Sequence, residues 1–306
     1  MGRSARARGR LLKLDPARVL ASSGNAAISY FARRDLLGSD PGPVSLLWEL
    51  PVARKTVARQ NADGSWRYPG GKSHVRSREN YDQLETFRQV GTLVEKFGFT
   101  REHPAIARAA EFLFSFQTQE GDFRGIYGNQ YATTYVGAIM ELLVMAGYAG
   151  DPRIAQGFRW LLAMRQSDGG WAIPLRTAGV PFSESLDLER HPKPVAPDRS
   201  KPSSHLVTGM VLRAFAAHPV RRRSAAARRA GELLATRLYR RDTYGDRGDV
   251  SYWERVSFPF RKLQRADGSF AFRLQKGKDQ DLPWWICLAV CRSLKRWQDS
   301  PVGEAA

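Results

Sequence analysis

RQSDGGW, residues 165–171, follows the apolar run FRWLLAM at 158–164 and decides how the chain is read. Glutamine, a polar spacer, Gly-Gly and tryptophan are an unusual way to end a helix. The phrase has relatives in RQNADGSW at 59–66, FQTQEGDF at 116–123 and LQRADGSF at 263–270. The marker glutamines Gln60, Gln117, Gln166 and Gln264 are 57, 49 and 98 residues apart. The last interval is twice the one before it, so one unit between Gln166 and Gln264 has lost its marker. Fixed-period self-similarity of this length signals a repeat architecture.

Each unit reads as two helices. YATTYVGAIMELLVMAGY is apolar nearly all round and ends at Gly147; a helix of that kind belongs in an interior. Asp151-Pro152 then supplies an N-cap and a first-turn proline for an amphipathic helix carrying Ile154, Phe158, Leu161 and Leu162 on one side. The preceding unit repeats the scheme over 80–99 and 100–117, with Thr100 expected as the N-cap and Pro104 near the start. SSHLVTGMVLRAFAAHP with a helix at about 221–239 makes a third pair, and DLPWWICLAVCRSLKRW is a final inner helix. Alternating buried and amphipathic helices predict an all-α fold, an α/α toroid of two concentric layers. The repeated phrase then has a physical role. Glycine takes the positive φ of a tight reversal, glutamine bonds the unpaired carbonyls at the helix end, and the aromatic packs back across the turn. It acts as a clasp between neighbouring units.

Gln-x2–3-Gly-x-aromatic at the end of an outer helix resembles the QW repeat of squalene and oxidosqualene cyclases, whose α/α toroid also occurs in protein prenyltransferase β subunits. The resemblance covers about residues 40 to 297. The expected organisation is an N-terminal helical cap at 1–40, a toroid repeat domain at 41–297 containing a long proline-rich loop at 172–202, and a disordered tail at 298–306. Only 11 residues separate Trp253 from Gln264, where a helical pair elsewhere takes about 35 at 1.5 Å per residue. The toroid is therefore expected to lack one hairpin near 254–264. The 172–202 loop holds six prolines and precedes an inner helix, which suggests either a lid over the cavity mouth or a stiff surface connection.

The net charge is +18, with arginines clustered at 221–229 and 237–247. Such an excess either forms a solvated, arginine-rich outer helix face or favours anionic partners: a diphosphate-bearing small molecule, nucleic acid or an acidic membrane surface in peripheral contact. No zinc-finger spacing, RNA-binding signature or aromatic platform accompanies the arginines, so sequence-specific nucleic-acid binding is not expected. No run of 18 apolar residues is present, and Lys13, Asp15 and Arg18 break the basic N-terminal stretch, which does not read as a secretory signal. Two cysteines, Cys287 and Cys291, form no disulfide framework, and a cytoplasmic location fits them.

The resemblance implies a cavity at the start of the inner helices, an isoprenoid or other apolar-chain ligand, and a catalytic acid in an Asp-x-Asp-Asp sequence. This chain has no such sequence. The candidate catalytic residues are His205, Asp82 and Glu141: the first two sit at inner-helix starts, and Glu141 is a carboxylate that must face a polar cavity or find a partner. Tyr131, Tyr135, Trp284 and Trp285 are candidate substrate-binding aromatics, since such faces stabilise cations. The prenyltransferase resemblance implies zinc, for which Asp281 and Cys287, with His205, are the available ligands; the competing reading makes the cysteines small apolar fillers. Two further functions stay open. One is a carbohydrate-active toroid, a lyase or hydrolase using Tyr131, His205 and an arginine. The other is a non-catalytic binding or scaffold module.

Overall fold

A computed structural model describes residues 12–70, 78–181, 184, 192–237, 240, 242–244, 264–269 and 280–299. Every extended element among them is helical; extended backbone appears only as isolated bridges such as Gln117–Phe123 and Trp171–Ser204. The chain divides into two compact units, one of residues 48–250 and one of residues 1–47 with 251–306.

In the 48–250 unit, a short helix α3 (Pro51–Val57) precedes the first clasp. Three hairpins follow. Helix α4 (Arg78–Gly91) runs on through a π-helical turn at Thr92–Lys96 and packs on α5 (Pro104–Phe114). Helix α6 (Thr133–Leu143), with its π turn Val144–Tyr148, packs on α7 (Pro152–Ala163). After a short turn of helix α8 (Pro174–Thr177), α9 (His205–Ala217) packs on α10 (Ala225–Thr236). The first members of the pairs also touch one another, α4 on α6 and α6 on α9, so they form an inner row with the second members outside. Gly137 permits the α6–α9 approach: a Cβ there would lie 3.0 Å from the Val211 Cα. Ile106, Leu113, Val136, Ile139, Met140, Phe158, Val211 and Phe215 fill the space between the rows and are buried. The helical signals act locally as expected at Asp151, whose carboxylate accepts the Arg153 amide at 2.9 Å ahead of Pro152. For α5 the cap is His103, not Thr100: proline at the first helical position fixes the cap on the residue before it, and His103 Nδ1 accepts the Ala105 amide at 3.1 Å.

The clasps share a geometry. Gly64, Gly121, Gly169 and Gly268 have φ of +88, +109, +100 and +88 degrees. The indole of Trp66 donates to the Thr56 carbonyl at 2.8 Å, and that of Trp171 to the Leu161 carbonyl at 2.6 Å. Each aromatic thus folds back over the end of its own outer helix, and Trp66, Phe123 and Trp171 are all buried. The backbone amides of Trp66 and Trp171 donate to Thr86 and Thr208 on the following inner helix, both at 2.9 Å. The glutamine does something other than cap its own helix. Gln60 Nε2 donates to the carbonyls of Gly64 and Ala105, and Gln117 Nε2 to those of Gly121 and Arg153. Ala105 and Arg153 are each the second residue of the next outer helix. The side chain is long enough to cross to the neighbouring unit, and there it bridges a turn carbonyl and a first-turn carbonyl.

In the other unit, α1 (Ala17–Ala21) and α2 (Ala26–Ala32), continued by a π turn at Arg33–Leu37, pack against α11 (Leu282–Gln298). Here the fourth clasp binds the N-terminal segment. Gln264 Oε1 accepts the Lys13 and Leu14 amides, and Nε2 donates to the carbonyls of Leu14 and Gly268. Asn25 caps α2 and donates to Asp281 at 2.8 Å, while Arg292 pairs with Asp35 and stacks on Phe31. The expected missing hairpin at 254–264 falls almost wholly outside the described residues, as do the fourth clasp aromatic Phe270 and the tail beyond 299.

Candidate functional site

Helices α4 and α6 turn a group of half-buried aromatics toward one another. Tyr135, on the first turn of α6, meets Phe87 of α4 edge-on at 6.1 Å and Tyr127 of the preceding loop at 5.5 Å. Burial pushes the Tyr135 hydroxyl above its ordinary pKa, and the charge of Arg88 opposes it. Tyr81, nearer the start of α4, meets Tyr68 at 4.9 Å. Phe87 and Tyr127 are absent from the sequence-based candidates; Phe87 stands one helical turn from Leu84 and Gly91, a spacing shared with ordinary core residues.

A polar cluster surrounds the start of α9. Asp168, in the third clasp, accepts the Gly170 amide at 3.0 Å, the Ser203 amide at 2.9 Å and Arg237 Nη2 at 2.7 Å. Burial works against its charge, but the two amides and Arg237 outweigh it and hold the carboxyl below the usual carboxylate range. Asp242 accepts the Ser204 hydroxyl at 2.8 Å and the Leu206 amide at 3.1 Å. His205 is buried among these groups. Its pKa is lowered by burial first; Asp242 opposes, Arg237 adds to the lowering, and Asp168 opposes. Burial thus favours the neutral imidazole. Burial and then the charges of Asp168, Asp198 and Asp242 raise Tyr244, whose buried hydroxyl oxygen has no hydrogen-bond partner among the described residues.

The other candidates have partners of their own. Asp82 accepts the Tyr68 amide at 2.7 Å and so fixes the segment after the first clasp onto α4. Glu141 bonds Arg213 Nε of α9 at 3.0 Å, and Arg213 reaches Glu95 at 3.4 Å. Burial raises the Glu141 pKa; Arg213 opposes it. Tyr131 donates to Glu120 at 2.6 Å and packs on Trp160 of outer helix α7, beside the second clasp. Burial and the bond to Glu120 push its pKa up to about 12. In the second unit Trp284 and Trp285 are half-buried in the first turn of α11, next to Asp281. Cys287 donates to the Gly268 carbonyl at 3.4 Å; it and Cys291 are free thiols, and its hydrogen bond with Cys291, then burial, push its thiol pKa up. Among the described residues, no group of three or more His, Cys, Asp and Glu is placed to hold a metal ion. The described ends of the 172–202 loop are tied down: Val195 to Gln130, Asp198 to Thr177, and Arg199 and Lys201 to the third clasp.

The family model of the squalene-hopene cyclase C-terminal domain matches residues 82–177, which run from α4 through α8 and hold the second and third clasps. That part of the chain is terpene cyclase-like, in agreement with its all-helical fold. Comparison with curated proteins finds no match.

Proposed function

We propose that the chain binds an isoprenoid, or another ligand with a long apolar chain, against the aromatic faces of its inner helices, and that it does not start a proton-driven cyclisation. The carrying observation is the group formed by Phe87, Tyr127 and Tyr135 on adjacent inner elements within the cyclase-like segment. Half-buried aromatic faces offer large apolar area with few rotamers to freeze, which suits a prenyl chain. The carboxylates argue against cyclisation. Protonating an alkene needs a strong acid, and Glu141 is made weaker by burial.

Native mass spectrometry of the purified protein is the first test, with a co-purifying polyprenyl lipid as the expected result. Titration with farnesol, followed by tryptophan fluorescence, tests the site itself. Tyr135→Ala should weaken farnesol binding about fivefold to tenfold, the worth of one aromatic contact. No farnesol binding, or binding that Tyr135→Ala leaves unchanged, defeats the proposal.

The grouping of His205 with Arg237, Asp168 and Asp242 favours a second reading, a polar or carbohydrate substrate handled at the start of α9. Under that reading His205→Ala would abolish turnover of a polysaccharide, and Tyr135→Ala would not affect it.

A further inference from the structure

The turn between α9 and α10 has a composition unlike the turns that precede α5 and α7. It reads PVRRRS at 219–224, and the stretch from 219 to 237 carries six arginines against the single carboxylate Glu232. Val220 stands at the tip and is 71% exposed, more than the other exposed large hydrophobics among the described residues. Arg222 and Arg223 follow it in the turn, Arg228 and Arg229 lie in the first turns of α10, and all four are exposed; among the described residues none pairs with a carboxylate, and Arg229 donates to the Ser167 carbonyl at 3.4 Å. A surface recess of about 430 Å³ opens between Pro219, Val220, Arg221, Arg223 and Ser224.

The turn is held in place. His218 Nδ1 accepts the amides of Val220 and Arg221 at 3.1 and 3.2 Å, Nε2 bonds the Ala149 carbonyl at 3.1 Å, and the Arg221 guanidinium lies 5.6 Å from the Phe158 ring. Four cations and an apolar tip are therefore presented on a braced support. A nucleic acid would use the charges and leave the valine without a purpose. An anionic bilayer uses both, since phosphates meet the guanidinium groups and the branched side chain enters the boundary between headgroups and acyl chains.

We infer that the Pro219–Arg229 face is a docking surface for an anionic lipid bilayer, with Val220 inserting and Arg222, Arg223, Arg228 and Arg229 contacting headgroup phosphates. No helix among the described residues is long and apolar enough to cross a membrane, so contact of this kind is peripheral. The inference is independent of what the inner helices bind.

The test is co-sedimentation of the full chain with vesicles of phosphatidylcholine alone and of phosphatidylcholine with 30% phosphatidylserine. Binding is expected only to the second, falling as salt rises. R222Q/R223Q/R228Q should lose on the order of a hundredfold, at about fivefold per arginine. Val220→Asp should weaken binding at low and high salt alike. The control R54Q/K55Q/R59Q removes equal charge from exposed positions on α3 and in the turn after it, in the same segment as the exposed Val52, and should retain most of the binding. Equal losses in the two triple variants would show diffuse attraction and overturn the assignment. So would binding to a single-stranded oligonucleotide that depends on the same arginines, without binding to vesicles. Far-ultraviolet circular dichroism of each variant keeps loss of fold separate from loss of docking.

Discussion

The second and third clasps have nearly the same sequence signal and hold different things. Gln117 reaches the Arg153 carbonyl in the first turn of the next outer helix. Gln166 reaches the carbonyls of Asp198 and Lys201, at 2.7 and 2.9 Å, in the proline-rich loop. The glycines differ in the same sense. Gly121 lies against the backbone of Gln156, and Gly169 against the side chain of Arg229; both partners are the fifth residue of the outer helix that follows. A clasp therefore recognises a carbonyl at a given place, whatever element delivers it. An inserted loop can enter the repeat provided it passes its own carbonyls through that place. The fourth clasp makes the same point, since Leu14 supplies the carbonyl there.

The harshest way to break the comparison is to remove the aromatic. Trp171→Ala and Phe123→Ala each empty a buried site and should each cost about 3–5 kcal/mol in chemical denaturation. Losses of that size in both would mean that the aromatic, common to both clasps, carries most of the stability. A loss below about 1 kcal/mol at Trp171 would mean that the loop has taken over the hold. Next in size is glycine to alanine. At Gly121 a Cβ would lie 2.7 Å from the Gln156 carbonyl oxygen, and backbone cannot step aside. At Gly169 the nearest atom is Arg229 Nε at 2.8 Å, on a side chain that can turn away. Both substitutions carry the strain of positive φ, at least about 1 kcal/mol, so Gly121→Ala should be the worse of the two by a further 1–2 kcal/mol.

What the sequence made legible was whatever acts over a few residues. The alternation of inner and outer helices, the Asp151 cap and the positive φ of the clasp glycines are local consequences of composition and spacing. The glutamine's true acceptors were not legible, because Ala105, Arg153, Asp198 and Leu14 lie 45, 36, 32 and 250 residues from their donors. The candidate sites divide in the same way. Tyr135 could be picked out as an aromatic near an inner-helix start. Its neighbours Phe87 and Tyr127 come from other elements, and the grouping of His205 with Asp168, Arg237 and Asp242 depends on three long-range approaches. Asp82 was picked out by its place at an inner-helix start, and its bond to a backbone amide 14 residues away could not be read from that place.

A smaller effect sharpens the contrast between helix and loop as partners. Gln117→Ala removes the donor to Gly121 and Arg153 and should cost about 1–2 kcal/mol of global stability. The Gln166 side chain begins with a handicap, since its buried Oε1 has no partner among the described residues. Gln166→Ala should cost less in a melting experiment and show itself locally, as faster proteolysis within 192–202. Equal global losses from the two substitutions would mean that the loop is as much a part of the cooperative fold as α7 is.

The smallest effect separates two of the outer helices, α5 and α7, by their caps. Helix α5 is capped by His103, and its Nδ1 can accept the Ala105 amide only while the ring is neutral. Burial first, then Arg108, lower the His103 pKa from 6.5, with Glu49 opposing. A group whose folded pKa is depressed contributes stability that is complete above the unfolded value and is lost as pH falls through the folded one. The α5 cap should therefore weaken below about pH 6.5. Helix α7 is capped by Asp151, whose pKa the bond to Arg153 lowers from 3.8, so its contribution persists until the solution is far more acidic. Amide exchange compared at pH 7 and pH 5, after correction for the intrinsic rate, should then show loosening at Ala105–Ala107 and none at Arg153–Ala155. His103→Asp should remove the difference, because it gives α5 the same acid-resistant cap that α7 already has.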